Sequence, residues 1–199
     1  VSTYTYTPHH IIIMICALSL VLGLAVLQGG NGLTEDEKSQ ILDRHNKYRS
    51  EVQPPAANML ALQWDDEIAR MSQSWVDHCN FKRNRPSSTE WSACSLGRSF
   101  DTILDSMDFV DVLDEWNEED YNFEDNTCSD TCDYYTQMVR ATTSFVGCGM
   151  ADCLGSKYVY CMYSPSGDET QRPYESGVPC SSCPDSEGVT YSCENNLCT

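Results

Sequence analysis

Apolar and polar positions follow two periods along this chain, first helical and then alternating. In "LTEDEKSQILDRHNKYRSEV", residues 33–52, Ile41, Leu42, His45, Tyr48 and Val52 recur at helical spacing. Thr34 is placed to cap that helix with Glu37 as its partner, and Pro54-Pro55 stops it. His45, on the apolar stripe, reads as a hydrogen-bonded core histidine rather than a ligand. "LALQWDDEIARMSQSWVDHC", residues 60–79, gives a second helix with Trp64, Ile68, Met71, Trp75 and Cys79 on its inner face. A turn-rich loop follows over 81–99. Residues 100–123 read as a third helix, with Ile103, Leu104, Met107, Val110 and Leu113 on one side and Asp101, Asp105, Asp108 and Asp111 on the other. A short helix fits residues 133–143. "SFVGCGMADC" and "KYVYCMYS" then read as two strands joined near Gly155-Ser156, because Tyr158, Tyr160 and Met162 alternate with Val159, Cys161 and Tyr163. Helices followed by a hairpin predict an α+β fold.

The N-terminus changes the compartment. "MICALSLVLGLAVLQGGNG", residues 14–32, is an apolar run ending in small residues, a secretory signal pattern with cleavage expected after Gly32. Residues 1–13 read as upstream translation, with Met14 as the start. A signal anchor is the competing reading, and no cationic flank supports it. Export makes the mature chain extracellular and oxidising conditions favour disulfides. Of 12 cysteines, Cys16 leaves with the signal, so an odd number remains. One thiol is then free or pairs between molecules. Four of them crowd into residues 180–198 of a tail with little apolar content, expected to be a disulfide-stapled module with almost no core.

Charge narrows the partners. The formal net charge is -18, and residues 101–199 hold three Lys/Arg against 20 Asp/Glu. Such a surface repels nucleic acid and anionic membrane, and suits solubility, a basic partner or divalent cations. Calcium is imaginable on the Asp101–Asp111 face, but the Asp-rich loop with its glycine is missing, so a solvated acidic face is the better reading. Past Met14 the only histidines are His45 and His78. Nothing suggests a histidine-activated nucleophile, and no Gly-x-Ser-x-Gly occurs.

Five segments in order carry a resemblance: "HNKYR" at 45–49, "LQWDDEIA" at 62–69, "YTQMV" at 135–139, "GCG" at 147–149 and "YVYCMYSPSGD" at 158–168. The chain resembles the CAP superfamily of cysteine-rich secretory proteins, antigen 5 and pathogenesis-related protein 1. Its tail "PYESGVPCSSCP…NNLC" looks like the hinge module of the peptidase-inhibitor-16-like branch. The resemblance implies an α-β-α sandwich over 33–170 followed by a cysteine-rich hinge module over 171–199. It also implies a central cleft where two His and two Glu of many members hold a divalent metal. At those four positions this chain has Arg83, Arg98, Glu119 (with Glu118 as the fallback) and Tyr134, and Arg140 stands where the family has a tryptophan. Guanidinium groups offer a metal no lone pair. The expectation is therefore no metal and no cofactor. An internal polar network of Arg83, Arg98, Glu119 and Tyr134 would replace the site, or the arginines would face solvent and attract an anion.

The resemblance further implies the pairs Cys79–Cys153, Cys148–Cys161, Cys180–Cys193 and Cys183–Cys198. Cys94, Cys128 and Cys132 stay open: Cys128–Cys132 leaves Cys94 free, while Cys94–Cys132 and Cys94–Cys128 are alternatives. The functional expectation is a secreted, non-catalytic binding module, its partner an unknown extracellular protein or lipid, with no nucleic acid and no stable membrane span. Alternatives are a secreted protease or other hydrolase, a sterol or lipid carrier, a venom-type channel modulator, or a component linked to others by an intermolecular disulfide.

Overall fold

The structure, a computed structural model, describes residues 32–79, 108–168, 170–184 and 189–199, and the backbone of 97–103. The first helix, α1, spans Glu35–Ser50 and opens on a capping box: Thr34 accepts from the Glu37 N–H, and the Glu37 carboxylate accepts from the Thr34 N–H at 2.7 Å. β1 is Gln63–Trp64, and α2 is Asp66–Val76, capped by the Asp65 carboxylate on the Ile68 N–H. The second helix thus starts later than its apolar spacing predicts. Trp64 lies instead in an edge strand, because Gln63 and Trp64 pair in parallel with Phe145 and Val146.

The largest departure is at residues 97–103. The expected third helix begins as a strand, β2 (Gly97–Ile103), antiparallel to the later strand β6 (Ser156–Ser164) from Gly97↔Tyr163 to Ile103↔Lys157. Helix α3 covers Phe109–Asn117. Asp108 and Asp111, read above as part of an acidic helix face, form the capping box that starts it. The side chains of Asp101, Ile103, Leu104, Asp105 and Met107 lie outside the described residues. Short strands β3 (Tyr121–Asn122) and β4 (Thr127–Cys128) pair as a small ribbon before α4, Asp133–Met138. β5 (Phe145–Cys153) and β6 form the expected hairpin around Leu154-Gly155, and the main sheet runs β1-β5-β6-β2. A second ribbon, β7 (Cys193–Glu194) with β8 (Leu197–Cys198), closes the chain.

Period-two alternation in β6 explains the layers. Val159, Cys161 and Tyr163 face one core with Ile41 of α1, Val112, Leu113 and Trp116 of α3, and Met138 of α4. Tyr160 and Met162 face the other with Ile68, Met71 and Val76 of α2. Helices therefore cover both faces of one sheet, the α-β-α sandwich of an α+β fold. "GCG" serves both faces. A Cβ on Gly149 would sit 2.5 Å from the Gln73 Cα, so the glycines let α2 lie directly on β5. Cys148 points the other way and is bonded to Cys161, its direct cross-strand neighbour.

The C-terminal segment contributes to the core, contrary to the expectation of a module with almost none. Tyr174 and Leu197 are buried in the larger cluster. Their backbone is stitched to the 56–61 loop: Ala57 N–H to Glu175 O at 2.7 Å, Cys198 N–H to Met59 O at 2.8 Å and Ala61 N–H to Cys198 O at 3.0 Å. Extended backbone needs partners for its amides, and that loop supplies them. No helix among the described residues is long and apolar enough to cross a membrane.

Candidate functional site

"HNKYR" on α1 organises the surroundings of the cleft. Buried His45 contacts Ile41 O through Nδ1 (2.8 Å) and the Tyr163 hydroxyl through Nε2 (2.9 Å). Burial, helped by nearby Arg49, pulls its pKa down to about 4. The imidazole is therefore neutral, with Nδ1–H donating to the carbonyl and Nε2 accepting from Tyr163. Asn46 pairs with the Leu62 backbone like a strand neighbour, Nδ2 to O at 3.0 Å and N–H to Oδ1 at 2.8 Å. Tyr48 donates to Asp114 Oδ1 at 2.6 Å, and Arg44 grips both oxygens of that carboxylate, tying α1 to α3.

Arg49 is the deepest charge, 1% exposed. Its five N–H groups all meet backbone carbonyls: Nε and Nη2 donate to Leu60 O (3.0 and 2.7 Å), Nη1 to Met138 O and Arg140 O (both 2.9 Å), and Nη2 also to Thr143 O (3.0 Å). Burial lowers its pKa to about 9, still charged at neutral pH. The turn after α4 exists around this guanidinium, and α4 accordingly ends at Met138 rather than running to residue 143. Asn46 and Arg49 escaped the sequence reading. Their signal was present, since Arg49 lies one turn beyond His45 on the same face.

The four cleft positions fare differently. Arg83 and Cys94 lie outside the described residues, and Arg98 is described only as backbone, in β2 opposite Met162. Glu119 and Tyr134 come together between the end of α3 and the start of α4. Glu119 is half-buried, whereas Glu118 is exposed and caps the end of α3. α4 has no cap from its own N-cap residue Cys132, and Glu119 Oε2 accepts the Tyr135 N–H at 2.8 Å. A carboxylate at a helix N-terminus satisfies a donor and complements the dipole. The Tyr134 ring packs against buried Trp116, centroids 5.3 Å apart. Burial raises the Tyr135 and Tyr174 hydroxyl pKa values.

Arg140 is buried and donates from Nη1 to Asp168 O at 2.7 Å. It lines an open cavity of about 990 Å³ with Arg172 and the stacked rings of Phe123 and Tyr174. Gly167 adopts φ +70° beneath it, where a Cβ would meet the Arg140 side chain. His78 is exposed and lies against Ser74 O (2.6 Å), while His45 is engaged by Ile41 O and the buried Tyr163 hydroxyl.

Five disulfides join described cysteines: Cys79–Cys153, Cys128–Cys132, Cys148–Cys161, Cys180–Cys193 and Cys183–Cys198. The Sγ atoms of Cys180, Cys183 and Cys198 lie within 4.8 Å of one another, but each is bonded in a disulfide and is no metal ligand.

Comparison with known proteins agrees with this architecture. Residues 42–163 match the cysteine-rich secretory protein family, CAP. Mouse peptidase inhibitor 16 is 37% identical over 180 residues, covering 83% of this chain and 34% of the relative. Human cysteine-rich secretory protein 3 is 33% identical, covering 80% of this chain and 67% of the relative. Among solved structures, Schistosoma mansoni venom allergen-like protein 4 superposes with a TM-score of 0.61 at 29% identity over 76% of this chain and all of that one. NaASP2, solved with Zn2+, gives 0.65 at 25% identity over 85% of this chain and 98% of that one. The chain spans between 34% and 41% of the length of the peptidase inhibitor 16 relatives it matches. Sandwich, stitched "HNKYR" helix and relatives together place this chain in the cysteine-rich secretory protein (CAP) family, on its peptidase-inhibitor-16-like branch.

Proposed function

We propose that this chain is a secreted, non-catalytic CAP-domain binding module in which the family's metal cleft has become a structural polar network. The engagement of Glu119 carries this reading. Its carboxylate, at a position where relatives are expected to offer a ligand, holds the Tyr135 N–H at 2.8 Å and so begins α4. Tyr134, at a second position, is an aromatic ring packed on Trp116. Arg83 and Arg98 complete the set with groups that cannot donate a lone pair. Guanidinium groups at two of the four positions add positive charge and no lone pair, which disfavours a bound divalent ion. With the cleft spent on structure, recognition falls to the acidic surface, which suits an extracellular partner bearing basic groups.

The test is a calorimetric titration of the secreted protein with Zn2+, run beside a peptidase assay on wild type and on the Arg83→Ala, Arg98→Ala, Glu119→Ala triple variant. The expected results are no tight zinc site and no peptidase activity that depends on these residues. One tight site lost on Glu119→Ala, or hydrolysis abolished in the triple variant, would overturn the proposal.

A further inference from the structure

The C-terminal cysteines are arranged for two alternative pairings, and one is held now. Cys180 and Cys183 form a Cys-x-x-Cys whose members belong to different bonds, Cys180–Cys193 and Cys183–Cys198. The Cys180, Cys183 and Cys198 sulfurs lie within 4.8 Å of one another. Cys193 and Cys198 are directly opposed in the β7–β8 ribbon. Their neighbours Ser192 and Thr199 exchange both backbone hydrogen bonds, at 2.9 and 3.0 Å. Cys193 and Cys198 are therefore a non-hydrogen-bonded pair, the kind whose Cα atoms approach to about 4.5 Å, within disulfide reach. The same fold already has one cross-strand disulfide between opposed residues, Cys148–Cys161, with a Cα separation of 4.1 Å. Cys180 is held at φ +60°, a conformation costly for a non-glycine residue. Exposure gives direction: Cys193 is exposed and Cys198 is 1% exposed.

We propose that this cluster is a thiol-triggered disulfide switch, opened by an external thiol at Cys193 and converting the present pairs into Cys180–Cys183 and Cys193–Cys198. The external thiolate attacks the Cys193 sulfur, forms a mixed disulfide there and releases the Cys180 thiolate. That thiolate attacks the adjacent Cys183 sulfur, forming Cys180–Cys183 and expelling the Cys198 thiolate. Cys198 then attacks Cys193 across the ribbon, closing Cys193–Cys198 and returning the external thiolate. Two bonds break and two form, no net electrons are consumed, and the thiol acts as a catalyst. The ribbon keeps its backbone bonds to Met59 and Ala61 throughout, while the 177–183 loop loses its covalent tie to it. A partner thiol that cannot leave would remain attached at Cys193, with Cys198 left as the thiol.

Native full-length protein is incubated with reduced glutathione near pH 8, acid-quenched, cut after glutamate residues and mapped without reduction. In the present pairing, fragments 176–187, 188–194 and 195–199 remain joined, because each carries a partner of another. After the switch, 176–187 is released with an internal disulfide, and 188–194 stays joined to 195–199. Persistence of the three-way linkage, while glutathione adds elsewhere, would overturn the proposal. A Cys193→Ser variant gives an independent reading without added thiol. Alkylation after denaturing should label Cys198 in 195–199, because Cys180 has already displaced it. Label on Cys180 would show that the sulfurs do not exchange. Intact Cys79–Cys153 in both samples reports that the sandwich stayed folded.

Discussion

Replacing Arg49 by Met removes a side chain that ties the 60 loop, the end of α4 and the turn at 140–143 together. Its five N–H donors meet four carbonyls, those of Leu60, Met138, Arg140 and Thr143. Hydrogen bonds to a charged group contribute about 1.5–3 kcal/mol each, so simple addition would make this one side chain equal to the whole stability of a typical domain. Addition is the wrong arithmetic, because burying the guanidinium itself costs free energy, as the lowering of its pKa to about 9 records. What remains in the variant is four carbonyls without their donor, some of which water will reach. The loss expected is about 3–5 kcal/mol, the range for breaking one side of a buried charged cluster. Arg49→Lys should recover less than half, since an ammonium has three donors at one point and cannot span four carbonyls. Urea unfolding of the oxidised protein, followed by tryptophan fluorescence, measures both. A loss below about 1 kcal/mol at unchanged slope would refute the idea that this guanidinium organises the fold.

Acid should destabilise the protein through His45. Its folded pKa of about 4 lies below the ordinary 6.5, so the unfolded state binds more protons between those values. Stability from this group is full above pH 6.5, falls by about 3 kcal/mol as pH drops to 4, and falls no further below that. His45→Gln should flatten that window in urea titrations at successive pH values, and an unchanged slope would count against the assignment. Gly149→Ala should push α2 off β5, because the added Cβ would sit 2.5 Å from the Gln73 Cα. A cost of about 2–3 kcal/mol is expected from such overpacking, read as a lowered thermal midpoint. The Arg44–Asp114 pair is partly exposed, 31% and 40% at its side chains, and a double-mutant cycle should give a coupling of no more than about 1 kcal/mol.

Local chemistry was readable wherever a residue acts on its own neighbourhood. Thr34 and Glu37 announced the start of α1, and the β6 alternation gave both faces of the sheet before any partner was known. The four cleft positions were assigned through the family resemblance, and of these only Glu119 and Tyr134 have described side chains. Residues 100–123 were misread for a physical reason. Ile103, Leu104 and Met107 have helical spacing, but the backbone of Gly97–Ile103 completes its hydrogen bonds with β6, a partner more than fifty positions away. The resemblance pointed to Glu119, yet its bond to the Tyr135 N–H depends on where α4 begins.

By itself, the sequence determined the α+β class, the capping box that opens α1 and the two-faced strand β6, since each follows from residue type and short-range period. The tertiary structure decided the role of Arg49, the close approach that makes Gly149 necessary, and the pairing of Cys193 opposite Cys198. These rest on groups brought together from distant parts of the chain, and such encounters have no period for a sequence to display.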